Sequence, residues 1–173
     1  ITVAAATIAD ICSRTIFEHA DGAIEAVKSG TLNESFERVV EANTLLSGTG
    51  FESGGLAAAH AVASALTLVP SIEHGFLHGE MVAVGTMIHL QLEGDHEELS
   101  RVDGLLGRLG LPRSLSDLGV KVTDGSDVLE MIINAACAMP FMLNEPFAVT
   151  PTLLHEAILA IERRTTHLVS HEA

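Results

Sequence analysis

Along most of the chain apolar residues recur every three to four positions, the spacing that lines one face of a helix. Residues 2 to about 19 carry Val3, Ile8, Ile11, Cys12 and Ile16 at that spacing, with Asp10, Arg14 and Glu18 between them. A second, short helix is expected from Ala20 to Lys28, ended by Gly30 as its C-cap. Thr31 and Glu34 form a capping-box pattern, which predicts a helix from there to about Leu46, broken by Ser47-Gly-Thr-Gly50. The next helix is expected over 54–66, with a turn at Pro70-Ser71. A long helix over 77–93 is apolar around most of its circumference, including Met81, Val84, Met87, Ile88 and Leu92. Such a helix belongs in the middle of a bundle. Asp95 opens a further helix that runs to Leu109 and stops at Gly110-Leu-Pro112.

The last third continues the pattern. A single turn is expected over 114–118 and a helix over Asp124 to Cys137. Pro140 to Val149 reads as an extended loop. Thr150-Pro151 is a cap followed by Pro at the first helical position, opening a final helix through Leu168. Val120-Lys-Val122 is the one strand-like stretch, too short to found a sheet. The expected fold class is therefore all-α, a helical bundle of about eight helices forming one domain over residues 1–173.

Composition sharpens this picture. Apolar residues make up 47% and aromatics 3%, with no Trp or Tyr, and mean hydropathy is +0.37. A core of Ala, Leu, Ile and Val suits closely approaching helices better than sheets. Acids outnumber bases 23 to 9, a net charge of -14, which repels phosphates and anionic lipid; no nucleic acid and no membrane partner is expected. No apolar run reaches the roughly 18 residues of a membrane span, and no basic segment precedes an apolar one at the start. Cys12 and Cys137 form no CxxC and read as reduced thiols of a cytoplasmic protein. The chain opens at Ile1 in mid-pattern, so a truncated or processed product is expected.

Candidate chemistry gathers between Gly50 and Gly85. This stretch is small and apolar, holds His60, His74 and His78, and lies within a span from Arg38 to Arg101 that contains no Lys or Arg. His60 is flanked by alanines, and His78 stands at the start of the next long helix beside Gly79. Two histidines on successive apolar helices are either hydrogen-bonded core residues or ligands of one metal ion; spacing leaves both open. His74 reads as a ligand, a supporting neighbour or a surface residue, and His89 as packing.

The residues themselves go further. GFESGGLAAAHA, followed eighteen residues after its histidine by HGEMVAVGT, resembles the metal-binding region of the bacterial glycerol dehydrogenases, in the iron-containing alcohol dehydrogenase superfamily. EANTLLSGTG before it, RVDGLLGRLGLPRSLSDLGV and the Asn134-Ala-Ala-Cys137 segment resemble the same family, so the likeness covers nearly the whole chain. It implies a C-terminal helical domain, of the kind shared with dehydroquinate synthase, whose N-terminal NAD-binding α/β domain is absent here. It implies His60 and His78 as ligands of zinc or another divalent metal and Phe51 as a residue lining the glycerol pocket. The third ligand of the family, an Asp, has no counterpart in the chain. The implied reaction is NAD-dependent oxidation of glycerol or a similar small diol to the ketone, by a homo-oligomer. The chain alone is then expected to be inactive. The cation-free span argues against a phosphorylated substrate.

Two features depart from that pattern. Met81 follows His78-Gly-Glu where the family often has Lys, and Asn144-Glu-Pro-Phe147 falls in a variable loop that reads as surface. The rival expectations are a non-catalytic helical interaction or oligomerisation module, with structural histidines, and a related dehydrogenase acting on another diol or hydroxy acid.

Overall fold

A computed structural model describes residues 1–123 and 125–169, the side chains of 166–169 excepted. Asp124, the expected first residue of a helix, lies outside the described residues. No strand occurs among the described residues, and the fold is all-helical. No helix among them is long and apolar enough to cross a membrane. The chain divides into two compact units, Ile1–Gly55 and the residues from Leu56 onward.

The first unit is a helical hairpin. Helix α1 runs unbroken over Val3–Ser29, capped by Thr2, whose hydroxyl accepts the Ala5 N–H at 3.1 Å. The two expected helices are thus one, because nothing at Ala20-Asp-Gly22 is strong enough to end a helix that has a partner along its length. Gly30 closes it as expected, accepting αL geometry at φ 67°. Helix α2 covers Glu34–Glu41, a π-helical turn Ala42–Leu46, and α3 Ser47–Gly54, in one continuous run back along α1. Two expectations fail here. The cap is Asn33 rather than Thr31: Asn33 Oδ1 accepts the Phe36 N–H at 2.8 Å while its Nδ2 donates to the Gly22 carbonyl at 2.9 Å. And Ser47-Gly-Thr-Gly50 does not break the helix. Glycine costs about 1 kcal/mol in a helix, and contacts with α1 outweigh that cost; the run ends only at Gly55, at φ 80° and ψ -170°.

The second unit is built on α4 (Ala58–Leu66), α5 (Pro70–Gly75), α6 (His78–Glu93), α7 (His96–Leu109), α8 (Asp127–Ala138) and α9 (Pro151–Val169). Counting the α2–α3 run as one, the described residues hold eight helices, as the periodicity predicts. α6 occupies the middle, against α4, α7 and α9, with Met81, Val84, Met87 and Ile88 buried. α8 covers the other side of α4. Leu99, Leu115, Leu129, Ile132, Leu154 and Ile158 complete one contiguous apolar core.

Local chemistry explains the boundaries. Asp95 Oδ1 accepts the Glu98 N–H at 3.0 Å, and the Thr150 hydroxyl accepts that of Leu153 at 3.2 Å, both as expected. Pro70 does not merely mark a turn; it is the first residue of α5. The helix expected over 54–66 begins only at Ala58, because Gly55 turns the chain and Ala57 remains extended. The segment expected as an extended loop contains a 3₁₀ helix, Pro140–Asn144.

Candidate metal centre

α4 and α6 carry the two principal candidates. His60 is the third residue of α4, and His78 is the first residue of α6. The intervening α5 lets the chain reverse within eleven residues of Leu66, with Ile72 fully buried as its anchor. The Leu77 N–H, left over at the start of α6, is accepted by Glu80 Oε2 at 2.7 Å. The two imidazoles come together, with ring centroids 6.0 Å apart and planes inclined at 49°. His60 is half-buried and His78 exposed, so the pair sits at the edge of the core. Burial, and then the charge on His78, hold the His60 pKa below the ordinary histidine value. A neutral ring with a free nitrogen lone pair is the form that ligates a metal.

The helices approach closely because their contact surfaces are small. Ala58, Ala61 and Ala65 on α4 are fully buried. A Cβ on Gly85 of α6 would stand 2.1 Å from the Ala59 carbonyl oxygen, so only glycine fits there. His74 lies exposed on α5, and among the described residues it makes no hydrogen bond to either ring. Phe51 lies in α3 of the first unit, 49% exposed.

Another cluster has no local signature in the sequence. His89, expected only to pack, places Nε2 3.3 Å from Glu93 Oε2 and 3.7 Å from Glu145 Oε1. Their donor atoms lie within 4.8 Å of one another, the one such triple found among the described residues. Glu145 belongs to the segment expected as a surface loop, yet its side chain is 1% exposed and its Oε1 accepts the Ala58 N–H at 2.8 Å. The neighbouring Asn144 Nδ2 donates to the Leu56 carbonyl at 2.7 Å.

No protein-family model matches the chain. It is 41% identical over 164 residues to a glycerol dehydrogenase of Escherichia coli O6:H1, covering 94% of this chain and 44% of that protein. It is 41% identical over 159 residues to a glycolaldehyde reductase of Halobacterium salinarum, covering 90% and 42%. The crystal structure of glycerol dehydrogenase from Schizosaccharomyces pombe superposes with a TM-score of 0.86 at 36% identity, over 99% of this chain and 44% of that one. The chain spans less than half the length of these relatives. By fold it is the counterpart of the C-terminal helical domain of a dehydrogenase. More particularly, it is homologous to the glycerol dehydrogenases over more than nine-tenths of its length.

Proposed function

We propose that this chain is the metal- and substrate-binding helical part of an NAD-dependent glycerol dehydrogenase, which oxidises glycerol to dihydroxyacetone. The observation that carries the reading is the convergence of His60 and His78 from two packed helices, with ring centroids 6.0 Å apart. With metal–nitrogen bonds of about 2.1 Å and a tetrahedral angle between them, two imidazoles sharing one ion have centroids about 5.3 Å apart. The pair stands within an ångström of that separation, which supports the reading.

Imidazole donors suit zinc and other divalent ions alike. When bound, the ion supplies Lewis acidity that eases loss of the substrate hydroxyl proton before hydride passes to nicotinamide. His60 and His78 hold and orient it from one side. The span between Arg38 and Arg101 carries no Lys or Arg, which suits an uncharged polyol rather than a phosphorylated one. Phe51 as a substrate contact rests on family resemblance alone, and His74 as a supporting neighbour on its place four residues before His78. By the same resemblance the third ligand and the NAD site lie in sequence outside these 173 residues, and the intact enzyme is a homo-oligomer; the unpaired thiols of Cys12 and Cys137 suit a cytoplasmic setting. The chain by itself then turns over no glycerol.

The test is made on the intact enzyme. His60→Ala and His78→Ala should each lose bound metal, measured by elemental mass spectrometry, and lower glycerol-dependent NAD reduction by at least about a thousandfold. Metal content and turnover equal to the unaltered enzyme in either variant would refute the ligand assignment.

A second reading has one observation behind it: the Halobacterium salinarum relative, equally similar, is named a glycolaldehyde reductase. The same site would then serve a smaller carbonyl compound. Comparing kcat/KM for glycerol oxidation with that for glycolaldehyde reduction decides between them.

A further inference from the structure

Helix α4 begins without a cap of its own. Ala57, its N-cap residue, has no side-chain acceptor to offer. Ala58, the first residue of the helix, is fully buried, so its N–H cannot turn to water. Glu145 supplies what is missing from 87 residues away, through the 2.8 Å bond from the Ala58 N–H to Oε1. Asn144, one residue earlier, bonds the Leu56 carbonyl at 2.7 Å. Two consecutive side chains therefore hold the backbone on both sides of Ala57, immediately ahead of His60.

Burying a carboxylate is costly unless it is hydrogen-bonded and faced by positive charge. Glu145 accepts the Ala58 N–H, and the N-terminus of α4, with its partial positive charge, points at it. His89 Nε2 of α6 lies 3.7 Å from Glu145 and 3.3 Å from Glu93. A cation shared by these three side chains is the competing use of the cluster. The Glu145 oxygen nearest His89 already accepts the Ala58 N–H, and that bond accounts for its burial.

We propose that Glu145 and Asn144 are positioning residues for His60. They fix the first turn of α4, and with it the backbone from which the third residue of that helix presents its imidazole. A helix start frays when its N–H groups lose their acceptors, and a frayed turn would have to be reordered on every ligation event. Groups that hydrogen-bond a ligand side chain directly are commonly worth ten- to a hundredfold in metal affinity, and orientation through the helix backbone is expected to fall at the lower end, about tenfold. The inference rests on the proposed reading of His60 and His78 as ligands.

The experiment uses the intact enzyme, stripped of metal and reloaded with cobalt(II). Affinity is measured by competition with a chelator, and ligand geometry by the visible absorption bands. Asn144→Ala and Glu145→Ala should each weaken cobalt binding at least about tenfold and change the bands. Glu145→Gln, whose amide oxygen can still accept the Ala58 N–H, should stay within about threefold of the unaltered enzyme. Circular dichroism melts identify a variant that does not fold; Asn144 is exposed, so Asn144→Ala decides the matter if Glu145→Ala fails to fold. Unchanged affinity and bands in the folded alanine variants overturn the proposal. A loss in Glu145→Gln equal to that in Glu145→Ala overturns it too, because charge rather than the bond to Ala58 would then matter. His60→Ala and His78→Ala serve as controls. If they bind cobalt like the unaltered enzyme, the ligand reading itself fails; if they alone lose it, only the positioning role fails.

Discussion

Gly85 of α6 presses directly on the Ala59 carbonyl of α4, with 2.1 Å between that oxygen and the place a Cβ would occupy. Real Cβ atoms do not come so near backbone oxygen, and backbone cannot swing aside as the tip of a side chain can. The contact sets the separation of the two helices one residue before His60. Gly85→Ala should therefore destabilise the protein by about 2–3 kcal/mol, despite alanine's better helix propensity. It should also move the helices apart and weaken metal binding. Chemical denaturation checks the first effect. A variant as stable as the original would show that α4 and α6 are less tightly engaged than this contact requires.

Asp103 is the second point where a single substitution should be felt. It lies on α7 at 5% exposure, and its two oxygens accept from Arg113 Nη1 at 3.2 Å and Arg164 Nε at 3.0 Å. Arg164 reaches on to the Ser100 hydroxyl at 3.0 Å, so one carboxylate ties α7 to the following loop and to α9. Asp103→Ala should cost about 2–3 kcal/mol, because it strips two guanidinium groups of a shielded acceptor. Asp103→Asn should cost less, since it keeps one acceptor. Denaturation midpoints in low and high salt would test this: a loss that vanishes in salt would mean an exposed ion pair instead.

The parts of this architecture that were legible in the sequence are those written locally. Gly30 and Gly110 end their helices in left-handed backbone geometry, Asp95 and Thr150 start theirs by accepting a backbone N–H, and Pro151 takes the first helical position, all as the local sequence predicts. His60 and His78 could be singled out because each stands in a conspicuous setting of alanine or glycine. What could not be read is what depends on partners distant in sequence. Glu145 caps α4 across 87 residues, so nothing near either residue announces the bond. Likewise the continuity of α1 past Ala20, and of α3 through Ser47-Gly-Thr-Gly50, is decided by packing between the two arms of the hairpin. Local propensity does not contain that information.

The cysteines should be poor nucleophiles. Burial raises the thiol pKa of both Cys12 and Cys137, and Cys12 further donates to the Ala42 carbonyl at 3.6 Å, in the π-helical turn. The sign follows directly: a raised pKa means less thiolate at any given pH. Iodoacetamide at pH 8 should modify each at least about tenfold more slowly than a free thiol. Denaturant should abolish the difference, and the rate should keep rising with pH beyond the range where an ordinary cysteine levels off. Peptide mapping after timed alkylation measures this, and rates matching free cysteine at pH 8 would contradict it.

The start of α2 offers a direct contest between a sequence motif and a structural cap. Thr31 and Glu34 match a capping box, yet the Phe36 N–H is accepted by Asn33 Oδ1 at 2.8 Å. The same side chain donates to the Gly22 carbonyl of α1 at 2.9 Å, so Asn33 both caps one helix and fastens it to the other. Asn33→Ala should cost about 1–2 kcal/mol, the sum of a lost cap and a lost cross-helix bond. Asn33→Asp keeps the cap but lacks the donor, and should cost roughly half as much. Thr31 is exposed, and Thr31→Ala should fall within about 0.5 kcal/mol of the original. Thermal or urea unfolding of the three variants separates the possibilities. A larger loss from Thr31→Ala than from Asn33→Ala would restore the capping box and displace Asn33 from the role the geometry gives it.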